Sequence, residues 1–117
     1  MLWAALTTTG AQQGNKLVGT GAVGNARQGV SVALSADGNT ALVGGPGDGD
    51  AGAVWVFTRS NRVWTQQGNK LVGAGAVEVA EQGWSVTLSA DGNTAVAGGL
   101  SDNGSDGAAW VFVAASR

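Results

Sequence analysis

The stretch GVSVALSADGNTALVGGPGDGDAGAVWVF, residues 29–57, decides the fold class. Its first seven residues alternate, so that Val32 and Leu34 share one face of an extended chain while small and hydroxylated residues occupy the other. A period of two residues is typical of a β-strand. Two further short apolar runs follow at 40–45 and 53–58, bounded by glycine and aspartate. The stretch therefore predicts three consecutive strands.

The third run, AVWVFT at 53–58, is apolar on both faces, so we expect it to be covered on both faces. After Ser60-Asn61 the more polar RVWTQQ, residues 62–67, predicts a fourth strand. Between the first two strands, Asp37-Gly38 is a preferred pair for a type I′ hairpin, in which both central residues have positive φ. No window of useful length has the helical period of 3.6 residues. The prediction is an all-β fold.

Three segments of the chain occur twice, at an offset of 54 or 55 residues. The pairs are QQGNKLVG (12–19 and 66–73), LSADGNTA (34–41 and 88–95), and GAVWVF with GAAWVF (52–57 and 107–112). Four short antiparallel strands in each of two repeats of about 54 residues are typical of β-propeller blades. A β-solenoid and a two-sheet sandwich built from a duplicated half remain as alternatives.

The repeats divide the chain into an N-terminal outer strand (1–19), a first blade (20–73) and a second blade that lacks its outer strand (74–117). Propellers have 4 to 8 blades, so two blades leave apolar faces and strand edges exposed. We expect the N-terminal strand to complete a blade of a neighbouring chain. Head-to-tail association of this kind closes a ring when the rotation divides a full circle. The predicted assembly is a homotrimer of six blades or a homotetramer of eight.

The composition restricts the function classes. There is no histidine and no cysteine, which removes the commonest general base, thiol nucleophiles and the usual transition-metal ligands. Only Lys16 or Lys70 would remain to activate a serine, and no catalytic constellation is present, so we predict that the chain is not an enzyme. The net charge of −2 gives neither the basic surface of a nucleic-acid binder nor a polybasic membrane segment. No signal peptide is recognised, and the compartment is left open.

Residues 28–57 resemble the FG-GAP repeat, the blade unit of integrin α-subunit propellers and of many bacterial surface proteins. Gln28-Gly29 stands at the Phe-Gly position, Gly44-Gly45-Pro46 at the Gly-Ala-Pro position, and VWVF matches the usual end of the repeat. The resemblance implies a propeller fold and an extracellular or cell-surface location. In the family an Asp-rich loop between the first two strands binds calcium. The corresponding SADGNT, residues 35–40, has one carboxylate, so that site does not carry over.

The loop between the second and third strands holds the candidate metal ligands. It contains Asp48 and Asp50 in the first repeat and Asp102 and Asp106 in the second. Carboxylate oxygens are the ligands that calcium prefers. The spacing matches no complete calcium loop, and aspartate and glycine are also ordinary turn residues. The primary prediction is no metal and no cofactor, with calcium at these aspartates as the alternative.

Two tryptophans are the candidate ligand-binding residues. Trp64 lies on the polar outer strand, and Trp84 lies on the inner strand where the first repeat has Val30. Exposed tryptophan is a common platform for sugars and for protein partners. Trp84 either plugs part of a central channel or lines a pocket there. We expect a non-enzymatic structural or adhesive module whose first partner is itself, with a glycan or protein as a further ligand. A calcium-dependent or carbohydrate-binding module is the alternative.

The repeats also differ in charge at one position, where Arg27 corresponds to Glu81. If adjacent blades alternate around a ring, these two residues come within reach of each other. Neutral drift at the rim explains the difference equally well.

Overall fold

A computed structural model describes residues 10–115 as two antiparallel sheets, which confirms the all-β prediction. The first sheet has the order β1 (Ser31–Leu34), β2 (Thr40–Gly45), β3 (Ala53–Ser60) and β4 (Val63–Gln66). The second has the order β5 (Ser85–Leu88), β6 (Thr94–Gly99) and β7 (Ala108–Val113). Between β6 and β7 lies α1 (Asp102–Ser105), a single turn in which Asn103 and Gly104 have left-handed φ values of 52° and 66°. No helix in this part of the chain is long and apolar enough to cross a membrane.

The two sheets have the same register, as the sequence repeat requires. In the first sheet Val32 pairs with Val43, which pairs in turn with Trp55. In the second sheet Val86, Ala97 and Trp110 form the corresponding row. Each sheet therefore has a tryptophan face that carries such a row and an opposite face. We call these the tryptophan face and the valine face, the latter carrying Val54 and Val56 in the first sheet and Ala109 and Val111 in the second.

The core between the sheets joins the valine face of the first to the tryptophan face of the second. Leu42 and Val54, each 1% exposed, pack with Ala95 and Ala97 of the second sheet. Burial of these apolar side chains is the main favourable term that holds the sheets together.

The part of the first sheet's tryptophan face that lies on β3 is covered by the chain that leads into the sheet. Trp55 and Phe57 form a buried cluster with Ala26, and the Trp55 indole N–H donates to the carbonyl of Thr20 at 2.8 Å. Gly19 is glycine because a Cβ there would overlap the Trp55 indole. Since Val54 is buried on the opposite side, the expectation that the third strand is covered on both faces is confirmed.

The hairpin between β1 and β2 differs from the predicted type I′ turn. Ser35 and Thr40 close a four-residue loop, with the Ser35 N–H donating to the Thr40 carbonyl at 2.9 Å. Gly38 has a φ of 75°, whereas Asp37 keeps a negative φ. The Asp37 side chain accepts from the Ser35 hydroxyl and the Asn39 N–H, and this side-chain turn makes the longer loop the better connection.

The two-residue hairpin loop with two positive φ values occurs instead between β3 and β4. Asn61 and Arg62 have φ values of 50° and 67°, and Ser60 pairs with Val63 across the loop. This is the pattern that a type I′ turn requires.

The predicted N-terminal outer strand lies partly outside the described residues, and residues 10–19 form no strand. In the described chain β3 already pairs with β4, its own outer strand. No backbone–backbone hydrogen bond joins residues 10–19 to the strands of the first sheet.

Candidate functional site

Asp48, one of the candidate metal ligands, is a buried structural acceptor. It is 4% exposed, and its carboxylate accepts from the Val23 N–H at 2.6 Å and from the Lys70 ammonium at 2.6 Å. Lys70 also donates to the Gly21 carbonyl at 2.9 Å. The cluster ties the loop before β3, the loop before β1 and the segment after β4 together. The negative charge of Asp48, which a metal cation would need, is already paired with the Lys70 ammonium.

Asp102 occupies the equivalent position in the second repeat, where it has the backbone N–H donor but not the lysine. It is 8% exposed, and one carboxylate oxygen accepts from the Val77 N–H at 2.7 Å. Its other oxygen accepts no hydrogen bond from residues 10–115. In the first repeat that second oxygen is the one that Lys70 contacts.

The remaining two candidate aspartates are exposed and lie apart from these acceptors. Asp106 accepts from the Asn103 side-chain amide at 2.9 Å, and Asp50 contributes its backbone carbonyl to the Ala80 N–H at 3.0 Å. Within residues 10–115 no three aspartates or glutamates come together in a way that would hold a metal ion. The fold thus distributes the four candidate ligands over separate hydrogen-bonding roles.

Trp64 is half-buried against the Trp55 cluster. Its indole N–H donates to the Gln13 side-chain carbonyl at 3.1 Å, and the Arg59 guanidinium lies 5.3 Å from the centre of its ring. Residues 13–17 and 62–64 line a shallow cleft of about 320 Å³ beside it. The ring and its N–H are both engaged within the chain.

Trp84 is more accessible, with 40% of its surface exposed. The Arg27 guanidinium lies 5.9 Å from the centre of its ring, close enough for a cation–π contact. Glu81 accepts a hydrogen bond from the Ser101 hydroxyl, and Arg27 and Glu81 form no ion pair in the described chain. Arg27 and its counterpart Glu81 therefore make different local contacts, Arg27 with the Trp84 ring and Glu81 with the Ser101 hydroxyl.

The sequence patterns did not single out two glutamines that bind backbone. Gln28 and Gln82 each form two hydrogen bonds with a glycine nine residues earlier. The recurrence of Gln-Gly at the same offset as the other repeated segments was the available signal.

Two large apolar surfaces are exposed on opposite sides of the pair of sheets. On the tryptophan face of the first sheet, Val32 and Leu34 are 67% and 59% exposed. On the valine face of the second sheet, Val111 and Val113 are 64% and 72% exposed.

Comparisons with models of protein families, with curated proteins and with solved structures gave no match for this chain.

Proposed function

We propose that the chain is a pair of FG-GAP-like β-propeller blades that associates head to tail with further copies of itself. Three or four copies complete a ring of six or eight blades. The ring is a non-enzymatic scaffold with a structural or ligand-binding role.

One observation carries the proposal. Within the chain, the valine face of the first sheet packs against the tryptophan face of the second. The two faces that remain exposed are therefore a tryptophan face, on the first sheet, and a valine face, on the second. Val86 and Leu88 are half-buried in the internal interface, whereas their counterparts Val32 and Leu34 are exposed. A second copy therefore has the complementary surface for each exposed face. Such a contact is heterologous, and repetition of it generates either a ring or a filament.

The edges of the sheets support the same arrangement. The first sheet has four strands and the second has three, so β7 has no neighbour on its outer side within the described chain. An open edge next to an exposed apolar face is a pairing site for another chain.

A ligand-binding role would use Trp84 before Trp64. Trp84 has the larger accessible surface of the two, and its Arg27 neighbour adds a hydrogen-bond donor of the kind that sugar hydroxyls and carboxylates accept. Trp64 would first have to give up its contacts with Gln13 and Arg59.

Light scattering on the purified chain tests the assembly. We expect a single species of three or four times the 11.5 kDa of one chain, independent of concentration over the accessible range. A folded monomer would rule out the ring. A series of masses that grows with concentration would indicate a filament, the open form of the same contact.

A further inference from the structure

We propose that residues 12–19 of one copy bind along the outer edge of β7 of a second copy, with Lys16 pairing with Asp102 across the joint. This inference rests on the head-to-tail association proposed above. It adds the segment, the edge and the ion pair that form the joint.

The chain contains an internal template for this joint. Residues 66–73, identical in sequence to 12–19, run along the edge of β3 in the first sheet. Leu71 and Val54 exchange two backbone hydrogen bonds, of 2.7 and 3.0 Å, and the Gln67 N–H donates to the Val56 carbonyl at 2.8 Å. The sequence QQGNKLVG is therefore able to cover the edge of a GAVWVF strand.

The edge of β7 is the same kind of strand without its cover. Ala109 and Val111 stand where the first sheet has Val54 and Val56. β3 is paired with β4 on its outer edge, whereas β7 is the last strand of its sheet and has no strand on its outer edge in the described chain. In the joint, Leu17 of the first copy takes the place of Leu71 and exchanges backbone hydrogen bonds with Ala109 of the second copy.

The start of the binding segment already has the bound conformation. The Gln12 side-chain amide donates to the Gly14 carbonyl at 3.0 Å, and Gln66 makes the same bond to Gly68 at 2.9 Å in the template. Gly14 and Gly68 have φ values of 74° and 69°. A segment that is ordered before it binds loses less conformational entropy on association.

The charges at the joint are complementary. Asp102 is nine-tenths buried, and one of its carboxylate oxygens accepts no hydrogen bond in the described chain. No polar side-chain atom in this part of the chain is both unpaired and shut off from solvent, so that oxygen is still accessible and can accept an ammonium group. The equivalent oxygen of Asp48 is paired with Lys70, and Lys16 is the residue that corresponds to Lys70 in the binding segment. Lys16 is exposed and forms no ion pair with residues 10–115, so its ammonium is available for this contact.

Two further contacts follow from the template. Lys70 also donates to the Gly21 carbonyl, so Lys16 would donate to the equivalent carbonyl of Gly75. The Thr20 N–H donates to the Gln66 side-chain carbonyl at 2.9 Å, so the Ala74 N–H of the second copy would donate to Gln12 of the first copy.

A double-mutant cycle on the full chain tests the joint. Lys16→Gln and Asp102→Asn each remove one charge, and the asparagine keeps the acceptor for the Val77 N–H. We expect each variant to raise the dissociation constant of the assembly roughly 30-fold or more, the typical effect of truncating one partner of a buried charge pair. The double variant should be no weaker than the weaker of the two single variants, because the second change removes nothing further.

Two charge-matched controls separate the ion pair from a general effect of net charge. Arg62→Gln and Asp106→Asn change the net charge by the same amounts at exposed positions. Both should assemble as the parent chain does. The joint is wrong, and the ring still stands, if the parent chain assembles while Lys16→Gln and Asp102→Asn behave like these controls. The same conclusion follows if the effects of Lys16→Gln and Asp102→Asn simply add.

A peptide of residues 11–20 decides the case in which the parent chain proves monomeric. Labelled peptide should bind the chain, and Asp102→Asn should weaken that binding by the same factor as above. Binding that depends on Asp102 would support the joint although the ring has failed. Absence of binding would overturn both.

Discussion

Gln82 and Gly73 form a closed pair of hydrogen bonds between the loop that enters β5 and the loop after β4. The Gly73 N–H donates to Gln82 Oε1 at 2.7 Å, and Gln82 Nε2 donates to the Gly73 carbonyl at 3.0 Å. Gln82 is fully buried, and its backbone N–H also donates to the Ala51 carbonyl of the first sheet at 2.8 Å. The Gln82 side chain therefore holds the segment between the two repeats in place next to the first sheet.

We expect Gln82→Ala to lower the free energy of unfolding by about 2–4 kcal/mol, because it removes a fully buried side chain and leaves the half-buried N–H and carbonyl of Gly73 without these partners. Gln28→Ala is the matched control. Gln28 makes the same two bonds to the buried Gly19, but its own side chain is only half-buried, so Gln28→Ala leaves a smaller cavity and the cost should be smaller. Urea denaturation measures both. Equal costs for the two variants would contradict the role given to burial.

The second prediction concerns acid stability. The Ser35 hydroxyl, and after it the Asn39 N–H, lowers the pKa of Asp37 below its ordinary value of 3.8 by hydrogen bonding to the carboxylate. The pKa of Asp91 is lowered by the equivalent residues of the second repeat. A carboxyl group with a lower pKa in the folded state stabilises the fold fully at pH values above 3.8, and this contribution is lost as the pH falls from 3.8 through the lower pKa of the folded state.

The variant Asp37→Asn/Asp91→Asn should therefore have a melting temperature that falls less between about pH 5 and pH 2.5 than that of the parent chain. Asparagine keeps the side-chain turn, since its carbonyl accepts the same bonds. The charge-matched control Asp50→Asn/Asp106→Asn changes two exposed loop carboxylates and should leave the acid slope of the parent chain in place. An identical slope in both double variants would refute the assignment.

The third prediction concerns calcium. A calcium ion takes six to eight oxygen ligands, whereas Asp48 is already paired with Lys70 and no three carboxylates meet within residues 10–115. We expect the melting temperature to be the same in millimolar calcium and in EDTA. A ligand that binds only the folded state must raise the melting temperature, so a rise with calcium would restore the alternative of a calcium-dependent module.

The sequence predicts the strands of this protein well because a period of two and an exact repeat are both direct consequences of sheet geometry. All four strands of the first repeat are present, and the doubly apolar third strand is buried on both faces. The type I′ turn at Asp37-Gly38 was wrong because the residue pair alone does not report the Ser35 and Asn39 contacts of the aspartate side chain. Those contacts favour a four-residue loop, and the type I′ geometry occurs at Asn61-Arg62 instead.

The candidate site was less predictable, because the same residue type has different roles at different depths. Asp48 and Asp50 are two residues apart and look alike in the sequence, yet one is buried and paired with a lysine while the other is exposed. The lysine that pairs with Asp48 comes 22 residues later, and only the fold brings it there. Asp48 and Asp102 are separated by the same offset as Lys16 and Lys70. This shared offset is the sequence signal for the proposed ion pair between Lys16 and Asp102.

The fourth prediction separates the proposed interfaces from the rest of the surface by means of three valines of similar exposure. Val32 is 67% exposed, Val111 is 64% exposed and Val63 on the outer strand is 61% exposed. In a ring the first two are covered by neighbouring copies, because their counterparts Val86 and Val56 pack in the internal interface. We expect Val32→Asp and Val111→Asp to yield folded monomers by light scattering and circular dichroism, because each places a charge in an apolar contact. Val63→Asp should assemble normally, and disruption by all three alike would argue against the proposed interfaces.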